Sequence, residues 1–600
     1  MAANFAKIVL PIILFLAGCA KKHEPEPNPL NGEVYLHSVF EMNTEEPVLN
    51  SHAGDELRSV LQPIPSTFQI IKHNILTVGA PSGASEQQYA MYPRIKKMAN
   101  GRFIMFYHSG TYGSRIWYTT SKDFLSWDAP KMLYEPYSVT IIDVSGKSVQ
   151  DFRRFVNPDA VVLPNGDILM VCSYRAGSYY GDGIDCGLSF RRSTNNGQTW
   201  SQPREVPVGP NWEPYLLALP DGRIQCYFTD ATPQTRNSGT SIIVSEDKGQ
   251  TWSGKKRVSR QYKYDYKTID PAKIQYNGEK IYTDQMPCFR ILNDGKTLLG
   301  FLEARIENPV PNDCSKDTYS SHCEMSVVYN NGLEWEALGE TKAGPSRRLT
   351  NVMKRGAAGY VATFPSGEVL LSCNSGNLYR IRMCNAAATK FYGSNSWDNM
   401  SNWFTPFEGL GFWGSMEVCG SNLLAMGMHS QEEGMQLGMA YLNQRLDAKD
   451  AEVVLDGKLE EWDTNKALYI GAKTGEEVLI RASHDGEALY LALDCKDPDR
   501  TSLQTLILQS DNSAPLVIKL NANGLISSGK DGVEVKTKPA AASDGTAGYV
   551  AEVKIPLSLT GATKGAKINI YAMMEKNNSR TAFNFADGSD PSTWQLLKIM

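Results

Sequence analysis

The chain lacks several things, and each absence removes a class of function. It has no Cys-x-x-Cys, and its 8 histidines and 11 cysteines show no metal-ligand spacing. His322 has no partner at such a spacing, so neither a catalytic metal nor any other cofactor is expected. It has no basic tract, and its formal net charge is -5, so nucleic acid is not an expected partner. No apolar stretch approaches the about 20 residues that a membrane-spanning helix needs. Disulfides are not expected to hold the fold. Most cysteines lie in apolar, strand-like runs and read as buried thiols, and Cys314 and Cys323, though close in sequence, are not read as bridged.

What is present begins with Lys7, an apolar run over residues 8–16, and Leu16-Ala17-Gly18-Cys19. Charge, a short apolar run and small residues before a cysteine read as a secretory signal. The tetrapeptide resembles the bacterial lipobox, which implies that Cys19 is lipidated and becomes the mature N-terminus. A plain signal peptide cut nearby is the alternative. Residues 1–19 are thus read as a lipoprotein signal peptide and 20–65 as a tether and N-terminal extension. The alternation of proline and charge over residues 21–29 cannot bury a core. The expected location is the bacterial cell envelope, on the outer membrane, facing the periplasm or the exterior. The only expected membrane contact is the lipid, and the body is expected to be monomeric. After the signal, about 580 residues remain, too many for one core.

A hairpin pattern organises the middle of the chain. An apolar strand, a Gly-containing turn and a second apolar strand recur at 93–107, 158–171, 213–228, 286–301 and 359–372, with a weaker copy at 414–427. Asn-Gly and Asp-Gly between apolar runs favour tight hairpins because such turns need positive φ. Six copies of one supersecondary unit imply six small sheets, an all-β six-bladed propeller over residues 66–446.

A second repeat lies between the hairpins. Ser193-Thr194-Asn195-Asn196-Gly197-Gln198-Thr199-Trp200 and Ser245-Glu246-Asp247-Lys248-Gly249-Gln250-Thr251-Trp252 share one form, with degenerate copies at 121–127 and 330–335. These resemble the Asp-boxes of the sialidase superfamily. The resemblance implies a structural role, with Asp or Asn capping a turn and Trp packing between blades.

The hairpin geometry locates candidate chemistry. The start of each first strand and the end of each second strand share one mouth of the propeller. Starts supply Arg94, Asp159, Glu213 and Asp284; ends supply His108, Arg175, Asp230 and Glu303. Glu213 and Glu303 are singled out, because glycoside hydrolysis needs two carboxyl groups at one place. Trp212, beside Glu213, can desolvate that carboxyl or stack on a sugar ring. The competing reading pairs each glutamate with Arg94, Arg175 or Arg305 as scaffold. Arg94, Asp159, Arg175, Trp212 and Asp284 are candidate substrate-binding residues, with turn-capping equally open for the two aspartates.

Tyr92-Pro93-Arg94-Ile95, Asn157-Pro158, Trp212-Glu213-Pro214-Tyr215, Met286-Pro287 and Phe301-Leu302-Glu303 resemble glycoside hydrolase family 93, over roughly residues 85–310. The resemblance implies an exo-α-1,5-L-arabinanase that retains configuration, an oligo- or polysaccharide substrate, Glu213 as nucleophile and Glu303 as acid/base. An exo-sialidase is the alternative. It would use Arg94 with two of Arg175, Arg290 and Arg355 around a substrate carboxylate, and Tyr360 or Tyr379 as nucleophile. Arg94-Ile95-Lys96 lacks the proline of the sialidase Arg-Ile-Pro. A non-catalytic glycan-binding lipoprotein is the second alternative.

From residue 447 to 600 the texture changes to short alternating strands, read as a β-sandwich. Asp456-Gly457 before Trp462, Asp485-Gly486 before Leu489-Tyr490-Leu491, and Ala551-Glu552-Val553-Lys554-Ile555-Pro556-Leu557 resemble family 9 carbohydrate-binding modules. That resemblance implies aromatics that clamp a sugar, with Trp462, Tyr490 and Trp594 as candidates and core packing as the equal alternative.

Overall fold

A computed structural model describes residues 36–41, 67–76, 90–109, 115–122, 124, 127–177, 183–231, 239–259, 281–292, 294–306, 322–336, 348–353, 356–365, 368–375, 378–384, 406–407, 411–419, 423–430, 434–443, 446–462, 467–473, 476–510, 513–541, 547–582, 588–589 and 594–600. The signal, Cys19, Cys314 and Arg355 lie outside the described residues. Among the described residues, no helix is long and apolar enough to cross a membrane.

The expected all-β architecture is what the structure shows. Six antiparallel sheets each begin with an inner strand: Ala90–Lys97, Ser148–Val162, Asn211–Ala218, Ile281–Ile291, Ala357–Thr363 and Gly411–Cys419. These inner strands neighbour one another in that order, and the sixth returns to the first. The ring is therefore closed, a six-bladed propeller. The N-terminal strand Thr67–Leu76 pairs with Gly434–Asn443 of blade 6, and Leu36–Glu41 pairs with it in turn. Leu36–Glu41 lies within the stretch read from sequence as extension.

The hairpins fold where the turn chemistry placed them. Gly101, Gly166, Gly222 and Gly295 all hold positive φ at the turns. Blades are covered on both faces by their neighbours, which removes the usual in–out alternation. Accordingly, every residue of Phe103–Ser109 and of Ile168–Ala176 is buried.

The Asp-boxes lock adjacent blades. Asn195 and Asp247 side chains accept the amides of Thr199 (2.9 Å) and Thr251 (2.7 Å). The tryptophan that ends each box packs into the preceding blade. Trp200 meets Phe106 and Tyr118 edge-on, Trp252 stacks on Phe190, and Trp335 reaches Tyr227, besides Phe289 of its own blade. Trp335 Nε1 also donates to the Tyr227 hydroxyl at 2.8 Å.

The C-terminal strands form two sheets around a separate apolar core that includes Leu491, Ile518, Val553, Ile570 and Trp594. Strand Leu446–Asp450 runs parallel to both Gln595–Ile599 and Glu476–His484, joining the sheets at one edge. Tyr469, fully buried, packs with Leu423 of blade 6. The three aromatics considered for a sugar clamp are core residues. Trp462 and Trp594 are 5% and 6% exposed, and Tyr490 is also buried. Trp462 Nε1 donates to Glu552 (3.1 Å) and the Tyr490 hydroxyl to Asp485 (2.7 Å), so both polar handles are used inside the domain.

Candidate active site

One backbone feature recurs in all six blades and builds the mouth. Along each inner strand the register slips, and at the slip a non-glycine residue takes a left-handed conformation: Tyr92, Asn157, Glu213, Met286, Ala358 and Trp413. Such a conformation costs about 1–3 kcal/mol per residue and persists where the surroundings enforce it, often at functional sites. The sequence supports each slip locally. Proline follows in four blades (Pro93, Pro158, Pro214, Pro287), where its missing N–H costs nothing because the ladder is already broken. Gly359 and Gly414 follow in the other two. A Cβ there would lie 2.3 Å from Met325 and 2.2 Å from Tyr379.

Four of the six left-handed residues meet in one cluster. Tyr92, Met286 and Ala358 form one apolar cluster with Met91, and Trp413 packs against it. On the second strand of each blade, the residue paired beside the slip completes the ring: His108, Ser173, Thr229, Glu303, Asn374 and His429.

Three of these second-strand positions share a structural task. The amide of the left-handed residue in the next blade donates to the side chain: Asn157 N to His108 Nδ1 (3.1 Å), Met286 N to Thr229 Oγ1 (2.9 Å), Ala358 N to Glu303 Oε2 (2.8 Å). Burial, with Arg175 and His429 nearby, pushes the His108 imidazolium down to about 3, so the ring is neutral and free to accept. Burial likewise lowers His429, to about 4. Neither histidine is a proton carrier near neutral pH.

The two glutamates come together here. Glu303 is 6% exposed; Oε1 accepts from Gln285 Nε2 at 2.7 Å and Oε2 from Ala358 N. Glu213, partly exposed, accepts from the Thr229 hydroxyl at 2.7 Å. Burial raises its carboxyl to about 7, and the negative charge of Glu303 adds to the rise; Thr229, Arg175 and Arg94 oppose it. A carboxyl raised toward neutrality beside a second carboxyl held by two N–H donors is an arrangement suited to acid–base work.

The other sequence candidates fall in different places. The Arg175 guanidinium lies 3.7 Å over the Trp212 ring, so both stand next to Glu213. Arg94 is one layer deeper. It is stacked 3.5 Å over Tyr92 and donates to the carbonyls of Pro93 (2.8 Å) and Trp413 (3.2 Å). Asp159 was expected at the mouth but is fully buried below it. Its carboxylate accepts from Leu216 N (2.8 Å) and faces Lys96 at 3.8 Å. The slip at Asn157-Pro158 resets the alternation and turns Asp159 down the channel. Asp284 was also expected at the mouth and is fully buried. Its side chain accepts from Ser259 (2.7 Å) and its carbonyl from Thr240, both in blade 3. Asp230 pairs with Lys255 (3.2 Å) and Arg257 (3.1 Å), inside blade 3.

Trp413 is the mouth residue that the sequence reading missed. Half-buried and left-handed, it stacks parallel to His429. Its signal was present: Trp413-Gly414 sits at the strand start where other blades carry residue-Pro.

Of the described candidate arginines, Arg94 and Arg290 both lie over the Tyr360 ring, 5.3 and 5.9 Å from its centroid, while Arg175 lies over Trp212. Arg290 pairs with Glu417 (3.3 Å) and lies over Tyr215 and Tyr360, deeper in the channel. Tyr360 is buried, its hydroxyl pushed up to about 12 by that burial.

No protein-family model matches this chain, and no curated protein matches it. Solved structures do. An α-L-arabinanase of Penicillium chrysogenum in complex with arabinobiose aligns at 16% identity over 61% of this chain and 97% of its own, with TM-score 0.41. A family 93 α-L-arabinofuranosidase of Fusarium graminearum, also with arabinobiose, aligns at 14% identity over 62% and 97%, with TM-score 0.42. A sialidase of Streptococcus pneumoniae aligns at 11% identity over 62% and 70%, with TM-score 0.41. At such identities and scores these likenesses say nothing of chemistry.

Proposed function

We propose that this protein is an exo-acting glycoside hydrolase that retains configuration and acts on a glycan of neutral sugars, with linear arabinan as the first candidate. The observation that carries the reading is the pairing of Glu213, raised to about 7, with Glu303, held by two N–H donors. A glycosidase needs one carboxyl that gives a proton to the leaving oxygen and one that attacks the anomeric carbon. The raised carboxyl of Glu213 is the one suited to carry a proton near neutral pH. This makes Glu213 the donor and Glu303 the nucleophile, the reverse of the order the family 93 resemblance implies.

In the first step the Glu303 carboxylate bonds to the anomeric carbon as the glycosidic C–O bond breaks, and the Glu213 proton goes to the departing oxygen. In the second, Glu213 takes a proton from water, the water oxygen bonds to the anomeric carbon, and the bond to Glu303 breaks. Trp413 and the Trp212–Arg175 pair offer faces for sugar rings.

The sialidase alternative needs arginines converging on a substrate carboxylate and an accessible tyrosine. Here both candidate tyrosines, Tyr360 and Tyr379, are buried, which favours a neutral sugar. Export and lipidation at Cys19, with anchoring in the outer membrane, complete the proposal. The test is product analysis on linear arabinan and on a sialyllactose, wild type beside Glu213→Ala. Arabinose or short arabinose oligomers, absent with the variant, support the reading. Free sialic acid overturns it.

A further inference from the structure

The two glutamates sit on different blades, yet one short segment touches both. The inner strand of blade 4 slips twice, around Gln285, and carries two left-handed residues, Asp284 and Met286. Each slip redirects a side chain or an amide. Gln285 turns its Nε2 to Glu303 Oε1 at 2.7 Å. Met286 turns its amide to Thr229 Oγ1 at 2.9 Å. Thr229 is 2% exposed, and its hydroxyl has one hydrogen. The Met286 amide can only donate, so Thr229 accepts there, and its own hydrogen goes to Glu213 Oε2, 2.7 Å away. Asp284 fastens the segment to blade 3 through Ser259 and Thr240.

We propose that this doubly slipped segment sets the spacing and protonation of the carboxyl pair, with Gln285 and Thr229 as positioning residues. The proposal rests on the glycosidase reading. The chain of orientation runs from the Met286 amide through Thr229 to Glu213, and from the Gln285 amide group to Glu303. Neither residue needs to touch the sugar. Thr229 has a counterpart that shows what is special here. In blade 1 the same position is His108, which accepts the next blade's amide but has no carboxyl to orient.

The test uses the full-length protein and two independent readouts. Thr229→Val keeps the shape and removes the hydrogen bond to Glu213, so the proton is held more tightly. The alkaline limb of the kcat/KM profile is expected to move up by about one pH unit, and Thr229→Ser to restore it. Gln285→Leu is expected to lower kcat about tenfold with KM little changed. A residue that only supports the fold would scale activity equally at all pH. Limbs unmoved in Thr229→Val, or a Gln285→Leu loss confined to KM, would overturn the proposal.

The second readout needs no substrate. The Glu213 carboxyl is titrated by NMR in protein with carbon-13-labelled glutamate, its signal assigned by its loss in Glu213→Gln. An upward shift in Thr229→Val, reversed in Thr229→Ser, upholds the proposal even if no glycan is cleaved and the glycosidase reading fails. No shift overturns it even if the wild type proves an active glycosidase.

Discussion

Two raised carboxyl groups, one in each half of the molecule, make an instructive pair. Glu552 lies in the C-terminal sandwich, fully buried, its oxygens taken by Gly457 N (2.5 Å) and Trp462 Nε1 (3.1 Å). Glu213 lies at the propeller mouth, partly exposed, and accepts from the Thr229 hydroxyl. Burial raises the carboxyl of both. A raised carboxyl therefore does not make an active site. What differs is access, a strained backbone and a second carboxylate. Glu552 ties the loop at Asp456-Gly457 to its sheet, whereas Glu213 keeps an open side and faces Glu303. The acidic neighbours Asp456 and Glu461 do not change this, since Glu552 already has donors for both oxygens.

The largest expected effect separates the two halves outright. Glu303→Gln and Glu213→Gln should each lower kcat/KM on the cleaved glycan about a thousandfold or more. Glu552→Ala should leave turnover of a soluble substrate intact. It strands two buried N–H groups, so the sandwich should lose about 3 kcal/mol in denaturant unfolding. Lost turnover in Glu552→Ala would break the comparison.

Trp413→Ala comes next. Removing an aromatic face at the mouth should raise KM about tenfold, with a small change in kcat. Equal loss in both would mean that the ring supports the fold instead of the sugar.

A smaller effect sharpens the electrostatic side. Glu213 has a folded pKa of about 7, above the usual glutamate range. Between about pH 4.5 and 7 the folded state thus binds the extra proton, and stability falls as pH rises through that window. Glu213→Gln removes this penalty. Its Tm should exceed wild type by about 2 °C at pH 8 and match it at pH 4. The same group sets the activity profile: kcat/KM should fall above about pH 7, as Glu213 loses its proton.

Turn chemistry made the fold legible. Asn-Gly and Asp-Gly turns and two clean Asp-boxes are local signals, and each folds into what its residues favour. The residue-Pro pairs were legible as motifs, and the structure gives their reason in the slipped strands. Side-chain direction beyond those slips was not legible. A single inserted residue reverses which face a strand presents, so Asp159 drops below the mouth. The second slip in blade 4 turns Asp284 into blade 3. Glu213 escapes this error because it is itself the left-handed residue, and Glu303 because its strand is unslipped where it pairs with Met325. In the sandwich, alternation predicted strands well but could not tell a buried tryptophan from a sugar platform, and Trp462 and Trp594 proved buried.

Chemical rescue tests the central claim most directly. Azide is added to Glu213→Ala and Glu303→Ala, with an aryl α-L-arabinofuranoside whose leaving group needs no proton. The account predicts that azide restores turnover in both. Glu213→Ala should release an arabinosyl azide of retained configuration, because Glu303 still forms the covalent intermediate. Glu303→Ala should release the inverted azide, because azide takes the nucleophile's place. Swapped configurations would restore the order that the family 93 resemblance implies. Full wild-type turnover in both variants, without any azide, would contradict the claim that these two carboxyl groups do the chemistry.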